Sequence, residues 1–252
     1  PLDRICIGAG GPFPNVSRMQ RIADAIVFSL VFLFTLPFRI LPLPAALLCG
    51  RMLARFLFLI ATRHRRIVSE NLEHAFPETS NEWRRKLRYR HFLYLGEMLA
   101  YAIWAARLNA EYFQEHVTFD PGSKEIEAQA LTGGGGIVLI CGHIGSWEML
   151  VQYTGHVLQG GGIYKRIHNP YVDRWYRAIR ERSGIQLFEV AERTAPMRYL
   201  RAGGRVGFVA DQYAGAAGIR VPFLNRPAST FRGPVQLADL TGSRMLFYSC
   251  VH

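Results

Sequence analysis

A histidine and a glutamate stand five positions apart in residues 133–150, GGGGIVLICGHIGSWEML, directly after a run that is typical of a buried strand. Residues five apart on a continuous helix lie about 140° apart, so His143 and Glu148 can meet only if His143 sits on the turn before the helix. Gly142 and Gly145 permit such a turn. The positive end of the helix would keep the imidazole neutral, and a nearby carboxylate would orient it. Such an imidazole can take the proton of a hydroxyl.

Neither residue is diagnostic alone. A single histidine in a turn is more often structural than catalytic, and a good N-cap such as Ser146 followed by an acid in the first turn is a common way to begin a helix. Asp211 follows the apolar run 206–210 and is therefore expected at a strand end, where α/β folds usually keep their chemistry. A carboxylate in that position is also a frequent helix cap or turn residue.

Basic residues in the middle of the chain are candidates for phosphate contacts. Lys165 and Arg166 follow residues 160–162 at an expected strand end, where phosphate contact and an ordinary solvated loop are comparable interpretations. The helix expected from residue 171 places three arginines at a spacing suited to phosphates, Arg174, Arg177 and Arg180. Acids four positions to either side of Arg177 make a salt-bridged, solvated face an equally good interpretation for the first two.

The order of these segments resembles a known family. GHIGSWE, at 142–148, is similar to the His-x4-Asp/Glu signature of the lysophospholipid acyltransferase superfamily, in particular of its lipid A biosynthesis acyltransferase branch. Further blocks agree in order and spacing: YKR with NPY and Asp173 at 164–173, Arg180 with Gly184, GFVADQ at 207–212, and VPF at 221–223 with Thr230 and Gly233. The resemblance covers about residues 66–244. Asn225 and Arg226 stand where the family often has a glycine, so the local turn is expected to differ.

The resemblance implies transfer of a fatty acyl group from a thioester to a hydroxyl of a phosphorylated membrane glycolipid, of the lipid A precursor type. The donor would be carried by acyl carrier protein or coenzyme A. His143 would be the general base and Glu148 its orienting partner, with Asp211 a second candidate for orienting the ring or for shaping the pocket. Four further residues would bind the substrate: Lys165, Arg166, Arg180 and Gln212. The resemblance implies no cofactor.

Strand and helix signals alternate after residue 133, which predicts an α/β domain with a mixed sheet flanked by helices. Strand signals cover residues 137–141, 185–190 and 205–210, and helix signals cover 146–158, 171–183 and 194–202. Upstream, helical spacing covers residues 66–75 and 81–106, and the second of these carries one apolar stripe, Phe92, Leu95, Leu99 and Ile103.

Two apolar stretches precede this domain and predict a membrane-associating helical segment. Residues 25–38 are short of the roughly 18 to 20 residues that a comfortable spanning helix needs. Residues 40–61 carry Arg51 and Arg55 four positions apart, on one helical face, and are better interpreted as an amphipathic or interfacial helix. The basic residues 63–66 follow directly, which favours a cytoplasmic position for what comes next.

Composition supports a membrane or phosphorylated partner. Lys and Arg number 30 against 19 Asp and Glu, a formal net charge of +11, while half of the residues are hydrophobic. No zinc-finger, RNP or basic-zipper pattern is present, so nucleic acid is not an expected partner. The four scattered cysteines form no CxxC pair and suggest neither a metal site nor a disulfide framework. The family resemblance implies a location at the bacterial inner membrane, and the basic residues 63–66 favour the cytoplasmic side for the site.

We therefore expect three regions: residues 1–18, disordered or an artefact upstream of a start near Met19; residues 19–62, membrane anchor or interfacial helices; and residues 63–252, an acyltransferase domain truncated at its C-terminus. Two alternatives remain open. One is a related enzyme that acylates another lipid, such as a lysophospholipid or a phosphatidylinositol mannoside. The other is a catalytically silent, lipid-binding membrane protein, in which His143 would have no chemical role.

Overall fold

The computed structural model describes residues 17–251, which form two N-terminal apolar helices, a further helical region and an α/β domain. Ten α-helices occur in this part of the chain: α1 (Arg18–Ile40), α2 (Leu43–Ile60), α3 (Thr62–Ala75), α4 (Asn81–Trp104), α5 (Ala110–His116), α6 (Ser123–Thr132), α7 (Trp147–His156), α8 (Pro170–Glu181), α9 (Thr194–Arg201) and α10 (Gly233–Thr241). Seven strands accompany them: β1 (Ile137–Cys141), β2 (Gly161–Tyr164), β3 (Gln186–Glu189), β4 (Arg205–Val209), β5 (Ile219–Phe223), β6 (Arg226–Thr230) and β7 (Arg244–Phe247).

Five strands form one sheet in the order β3-β2-β4-β1-β7, with every neighbouring pair parallel. The predicted α/β class is confirmed. The antiparallel component is a separate two-stranded sheet, the hairpin β5–β6. At its tip Leu224 and Asn225 have φ values of 44° and 65°, the left-handed turn that two-residue hairpins require. The hairpin therefore turns without the glycine that is frequent in the family.

Alternate residues of β1 pack into two different cores, as the pleat of a strand requires. Ile137 and Leu139 face a cluster that contains Phe113, Met149 and Tyr153. Val138 faces the opposite cluster, whose other buried members are Phe188, Leu200, Val206 and Ala238. Both faces of the central strand are thus covered, which is the usual condition of a parallel sheet.

Helices α1 and α2 are each long and apolar enough to cross a membrane, and only 17% of the apolar window of each is buried. Helix α1 begins at Arg18 and is longer than the predicted apolar stretch 25–38, whereas α2 lies within the predicted stretch 40–61. Residues 1–16, to which the expectation of disorder or artefact mostly applied, lie outside the described part of the chain.

Helices α2 and α4 are in backbone contact. A Cβ on Gly50 would come within 2.3 Å of the Gly96 carbonyl oxygen, and one on Gly96 within 2.2 Å of that of Gly50. The apolar stripe expected on α4 is consequently wrong in part: Phe92 and Ile103 are buried, but Leu95 and Leu99 are exposed. The small residues Gly96 and Ala100 form the buried face instead, because they let α2 approach closely.

Candidate active site

The register of the sheet brings His143 and Asp211 together. Strands β1 and β4 pair so that Cys141 lies beside Val209, and the Ala210 N–H donates to the Cys141 carbonyl at 3.0 Å. His143 and Asp211 each follow the paired ends by two residues. Both side chains therefore emerge at the carboxyl ends of neighbouring parallel strands, the usual place for chemistry in such sheets.

Asp211 makes two contacts with His143. Its Oδ2 accepts the His143 backbone N–H at 2.7 Å, and its Oδ1 lies 2.6 Å from the ring Nδ1. With Nδ1 donating its proton to the carboxylate, Nε2 carries the lone pair. The Gln212 side-chain nitrogen lies 3.3 Å from Nε2 and can donate to it. The His143 side chain is one-third exposed, so a substrate hydroxyl could reach Nε2 in place of the amide.

Glycine is required twice in the turn that carries His143. A Cβ on Gly142 would lie 2.9 Å from Asp211 Oδ2, so a larger residue would crowd the carboxylate. Gly145 has a φ of 65°, and a Cβ there would lie 1.6 Å from the Cys250 carbonyl oxygen. That oxygen accepts the Ser146 N–H at 2.8 Å. The segment after β7 thus holds the turn in place on one side.

Two hydroxyl groups from distant parts of the chain brace the same region. The Tyr94 hydroxyl of α4 donates to the Gly145 carbonyl at 3.0 Å. The Tyr248 hydroxyl, in the segment after β7, donates at 2.6 Å to Glu127 of α6, which also accepts from Tyr153 of α7 at 2.8 Å. The turn is therefore supported by elements on both sides of it.

Glu148 was the partner expected first for the His143 imidazole, but the structure corrects this expectation, because Glu148 makes no hydrogen bond to His143. Glu148 is 4% exposed and accepts from the Tyr176 hydroxyl at 2.5 Å and from Arg180 Nε at 3.2 Å. The reason lies in helix geometry. Trp147 contacts the imidazole edge-on at 4.8 Å between centroids, and the next residue points about 100° away. Glu148 therefore faces α8 rather than the histidine.

Arg180 is also placed differently from the expectation. Its side chain is 12% exposed, and its guanidinium bonds to Glu148 and, at 2.6 Å, to the Tyr176 hydroxyl. Burial alone would lower the pKa of Arg180, but the Glu148 carboxylate beside it leaves that pKa raised. Burial and the same carboxylate raise the pKa of Tyr176. The three groups form a buried hydrogen-bonded network, in which the Arg180 guanidinium faces Glu148 and Tyr176.

Lys165 and Arg166 follow β2, next to β4, so they lie at the same edge of the sheet as His143 and Asp211. Both are exposed. Arg166 forms an ion pair with Glu189, at the end of β3. Within residues 17–251 the structure gives Lys165 no bonded partner. Their charge remains accessible from solvent.

Other parts of the middle block are structural. Asn169 caps α8 by accepting from the backbone N–H groups of Tyr171 and Val172, at 3.0 and 3.1 Å. Asp173 is buried and accepts the Ile167 N–H at 2.7 Å. Ser146, expected as a capping side chain, occupies the N-cap position of α7 but makes no capping bond. Its hydroxyl is buried without a hydrogen-bond partner among the described residues.

Sequence reasoning missed Tyr176, Trp147 and Tyr94. Tyr176 stands four residues before Arg180, a spacing that places both on one helix face and could have suggested a shared partner. Trp147 is adjacent to Glu148 and could have been tested on a helical wheel. Tyr94 carries no local signal, because its contact lies 51 positions away.

Comparison with known proteins assigns the chain to a family. Residues 14–252 match the family described as bacterial lipid A biosynthesis acyltransferase. A lipid A biosynthesis lauroyltransferase of Escherichia coli (strain K12) is 27% identical over 213 residues, which cover 81% of this chain and 66% of that relative. The chain thus spans slightly less than two thirds of the relative's length. The match covers nearly the whole sequence, and the chain belongs to the bacterial lipid A biosynthesis acyltransferase family.

Proposed function

We propose that this protein transfers a fatty acyl group from an acyl thioester to a hydroxyl of a phosphorylated glycolipid of the lipid A precursor type. The observation that carries the proposal is the contact between His143 Nδ1 and Asp211 at 2.6 Å, at the carboxyl ends of two neighbouring strands. Family membership and the name of the E. coli relative support the acyl-transfer class and the acceptor. The acyl donor would be a thioester of acyl carrier protein or of coenzyme A.

His143 acts as the general base through Nε2. The acceptor hydroxyl replaces the Gln212 amide at this nitrogen and attacks the thioester carbonyl while its proton passes to Nε2. A carbon–oxygen bond forms, the carbon–sulfur bond breaks, and the leaving thiolate takes the proton from the imidazolium. Asp211 holds the ring with Nδ1 protonated and stabilises the positive charge that forms on it. The reaction needs no covalent enzyme intermediate and no metal ion.

The surrounding residues divide the remaining tasks. Glu148, bonded to Tyr176 and Arg180, positions α7 against α8 and thereby fixes the turn that begins α7. Lys165 and Arg166 are exposed at the same sheet edge and attract the acceptor phosphate. Gln212 covers Nε2 until the acceptor arrives.

The protein acts at the bacterial inner membrane, with its site on the cytoplasmic side. Helices α1 and α2 both present exposed apolar side chains, among them Ile22, Ile26, Leu30, Met52 and Phe56. The basic residues at the start of α3 follow α2 directly, as is typical of a cytoplasmic flank. Residues 19–62 would then be the membrane-associating segment and the rest of the chain the acyltransferase domain.

Acyl transfer by membranes that contain the full-length protein tests the proposal. Wild type, His143→Ala and His116→Ala are incubated with a labelled lipid A precursor and either an acyl carrier protein or a coenzyme A thioester. His116 is an exposed residue of α5, stacked on Tyr112 at 4.3 Å, and serves as the matched control. We expect transfer by wild type and His116→Ala with at least one donor, and none above background by His143→Ala.

Equal transfer by His143→Ala and wild type would exclude His143 as the base. Transfer by wild type to a lysophospholipid or a phosphatidylinositol mannoside, but not to the lipid A precursor, would replace the acceptor and keep the chemistry. If the wild-type protein transfers acyl groups to none of these lipids, it is not an acyltransferase for these acceptors. That result would favour the alternative of a lipid-binding protein without catalytic activity.

A further inference from the structure

An open groove of about 300 Å³ lies between the ends of α2 and α4, away from the residues assigned to catalysis. Phe58 of α2 and four residues of α4 line this basic groove: Arg85, Lys86, Arg88 and Tyr89. Phe58 and Tyr89 meet edge to face, with 5.2 Å between ring centroids. The walls of the groove are therefore mainly apolar, and three cationic residues border it.

The positive charge around the basic groove exceeds the negative charge bonded to it. Lys86 pairs with Glu82 at 2.7 Å, and Arg88 donates to the Ser69 hydroxyl, which is uncharged. Arg85 is exposed, and the structure gives it no ion pair within residues 17–251. Arg65 of α3 adds a fourth cation, with its guanidinium 5.2 Å from the centroid of the Phe58 ring. The groove is thus left with unneutralised charge.

The basic groove lies where an apolar surface meets a charged one. Phe58 is two residues from the end of α2, and α3 begins directly afterwards with basic residues at 63–66. On α2 the side chains of Leu48, Met52, Phe56, Leu59 and Ile60 are all more than half exposed. If this apolar surface contacts the bilayer, the groove is at the depth of the lipid headgroups, where basic residues meet phosphate.

The basic groove does not open towards the catalytic turn. Tyr94 of α4 contacts that turn by donating to the Gly145 carbonyl. Arg85 precedes Tyr94 by nine residues on the same helix, a rotation of about 180° at 100° per residue. Arg85 and Tyr94 therefore lie on opposite faces of α4, and the groove is separate from the acyl-acceptor site.

We propose that the basic groove binds the headgroup of an anionic phospholipid. The phosphate would accept from Arg85, Lys86 and Arg88, and the adjoining apolar surface of α2 would accommodate the acyl chains. That apolar continuation favours a lipid over an acidic protein. The inference rests on the membrane association proposed above, and it adds a lipid site that takes no part in acyl transfer.

Lipid counting on the purified full-length protein tests this site. The protein in a non-ionic detergent is titrated with phosphatidylglycerol or with phosphatidylcholine of the same acyl chains, and bound lipids are counted by native mass spectrometry. Arg85→Gln/Lys86→Gln removes two charges from the groove. Arg193→Gln/Arg198→Gln removes two exposed charges at α9, which packs against α10 and β4. Thermal unfolding establishes that each variant is folded.

We expect wild type to prefer phosphatidylglycerol, the groove variant to lose about 30-fold in that affinity, and the α9 variant to behave as wild type. Similar losses in both variants, or equal binding of the two lipids by wild type, would overturn the proposal. Displacement of the lipid by millimolar inorganic phosphate would instead make this a free-phosphate site. A groove variant that keeps its lipids but no longer binds an acidic carrier protein would make it a protein-docking site.

The acyl-transfer assay in detergent micelles separates this inference from the proposed function. The groove variant should transfer acyl groups at the wild-type rate while it loses phosphatidylglycerol. If the loss of lipid is accompanied by an equal loss of transfer, the groove belongs to the acceptor site and the inference is wrong. Absence of transfer by wild type would refute the proposed function and leave the lipid count as an independent result.

Discussion

The buried network of Glu148, Tyr176 and Arg180 predicts a large and specific loss of stability when one charge is removed. The two charged side chains are 5% and 12% exposed, so solvent screens neither of them well. Arg180→Met would leave the Glu148 carboxylate buried with only the Tyr176 hydroxyl as partner. Removing one member of a buried pair costs about 3 to 5 kcal/mol of unfolding free energy. Arg66→Met, at an ion pair with side chains 76% and 58% exposed, should cost at most about 1 kcal/mol.

Denaturant unfolding of the full-length protein in detergent measures these differences. The double variant Glu148→Gln/Arg180→Met removes the stranded charge and should recover part of the loss, so it should be more stable than Arg180→Met alone. Equal stabilities of Arg180→Met and Arg66→Met would refute the argument, because the network would then contribute no more than a surface pair. A double variant less stable than both singles would also contradict it.

Three further results are expected. Gly145→Ala should abolish acyl transfer, because a Cβ there would meet the Cys250 carbonyl. Gly134 has a similar φ of 68° but lies in open space, so Gly134→Ala should lower the unfolding free energy by only about 1 to 2 kcal/mol and leave the activity unchanged. Equal activities of the two variants would mean that Cys250 does not constrain the turn. Burial raises the pKa of Cys141 to about 12, so iodoacetamide at pH 8 should label this thiol only after unfolding, and rapid labelling of the folded protein would contradict this. Because its pKa is raised, the Tyr176 hydroxyl keeps its proton in the folded protein, whereas in the unfolded chain it loses the proton near pH 10. The unfolding free energy should therefore fall by about 1.4 kcal/mol for each pH unit above 10. Tyr176→Phe should remove this contribution to the pH dependence. An identical slope in the variant would show that Tyr176 titrates normally.

Local features of the site followed from the sequence because they depend on neighbouring residues. The glycine-flanked turn of His143, the strand before it and the helix after it all occur as expected, with ends that differ by one or two residues. The family assignment rested on the order of several blocks, and the comparison with known proteins confirms it.

The partner of His143 could not be settled in the same way. Asp211 stands 68 positions from His143, and the two meet only because β1 and β4 are adjacent and in this register. The sequence placed both at strand ends but did not say which strands are neighbours. Glu148 was the nearer acid, yet its position one residue after Trp147 directs it away from the imidazole.

Hydrophobic periodicity also could not predict which face of α4 packs against α2. Leu95 and Leu99 fit an apolar stripe, but the face that is buried is the one on which Gly96 meets Gly50. Close approach of two backbones depends on small residues on both helices, and neither helix reveals its partner. The hairpin β5–β6 was missed for a related reason, since its turn uses Leu224 and Asn225 rather than glycine.

The turnover number of Asp211→Asn tests most directly the claim that Asp211 orients the catalytic histidine. The amide cannot hold the ring with Nδ1 protonated as a carboxylate does, so the turnover number should fall on the order of 10²- to 10⁴-fold while the protein stays folded. Asp239→Asn, an exposed acid on α10, should keep the wild-type rate. A wild-type turnover number in folded Asp211→Asn would contradict the account.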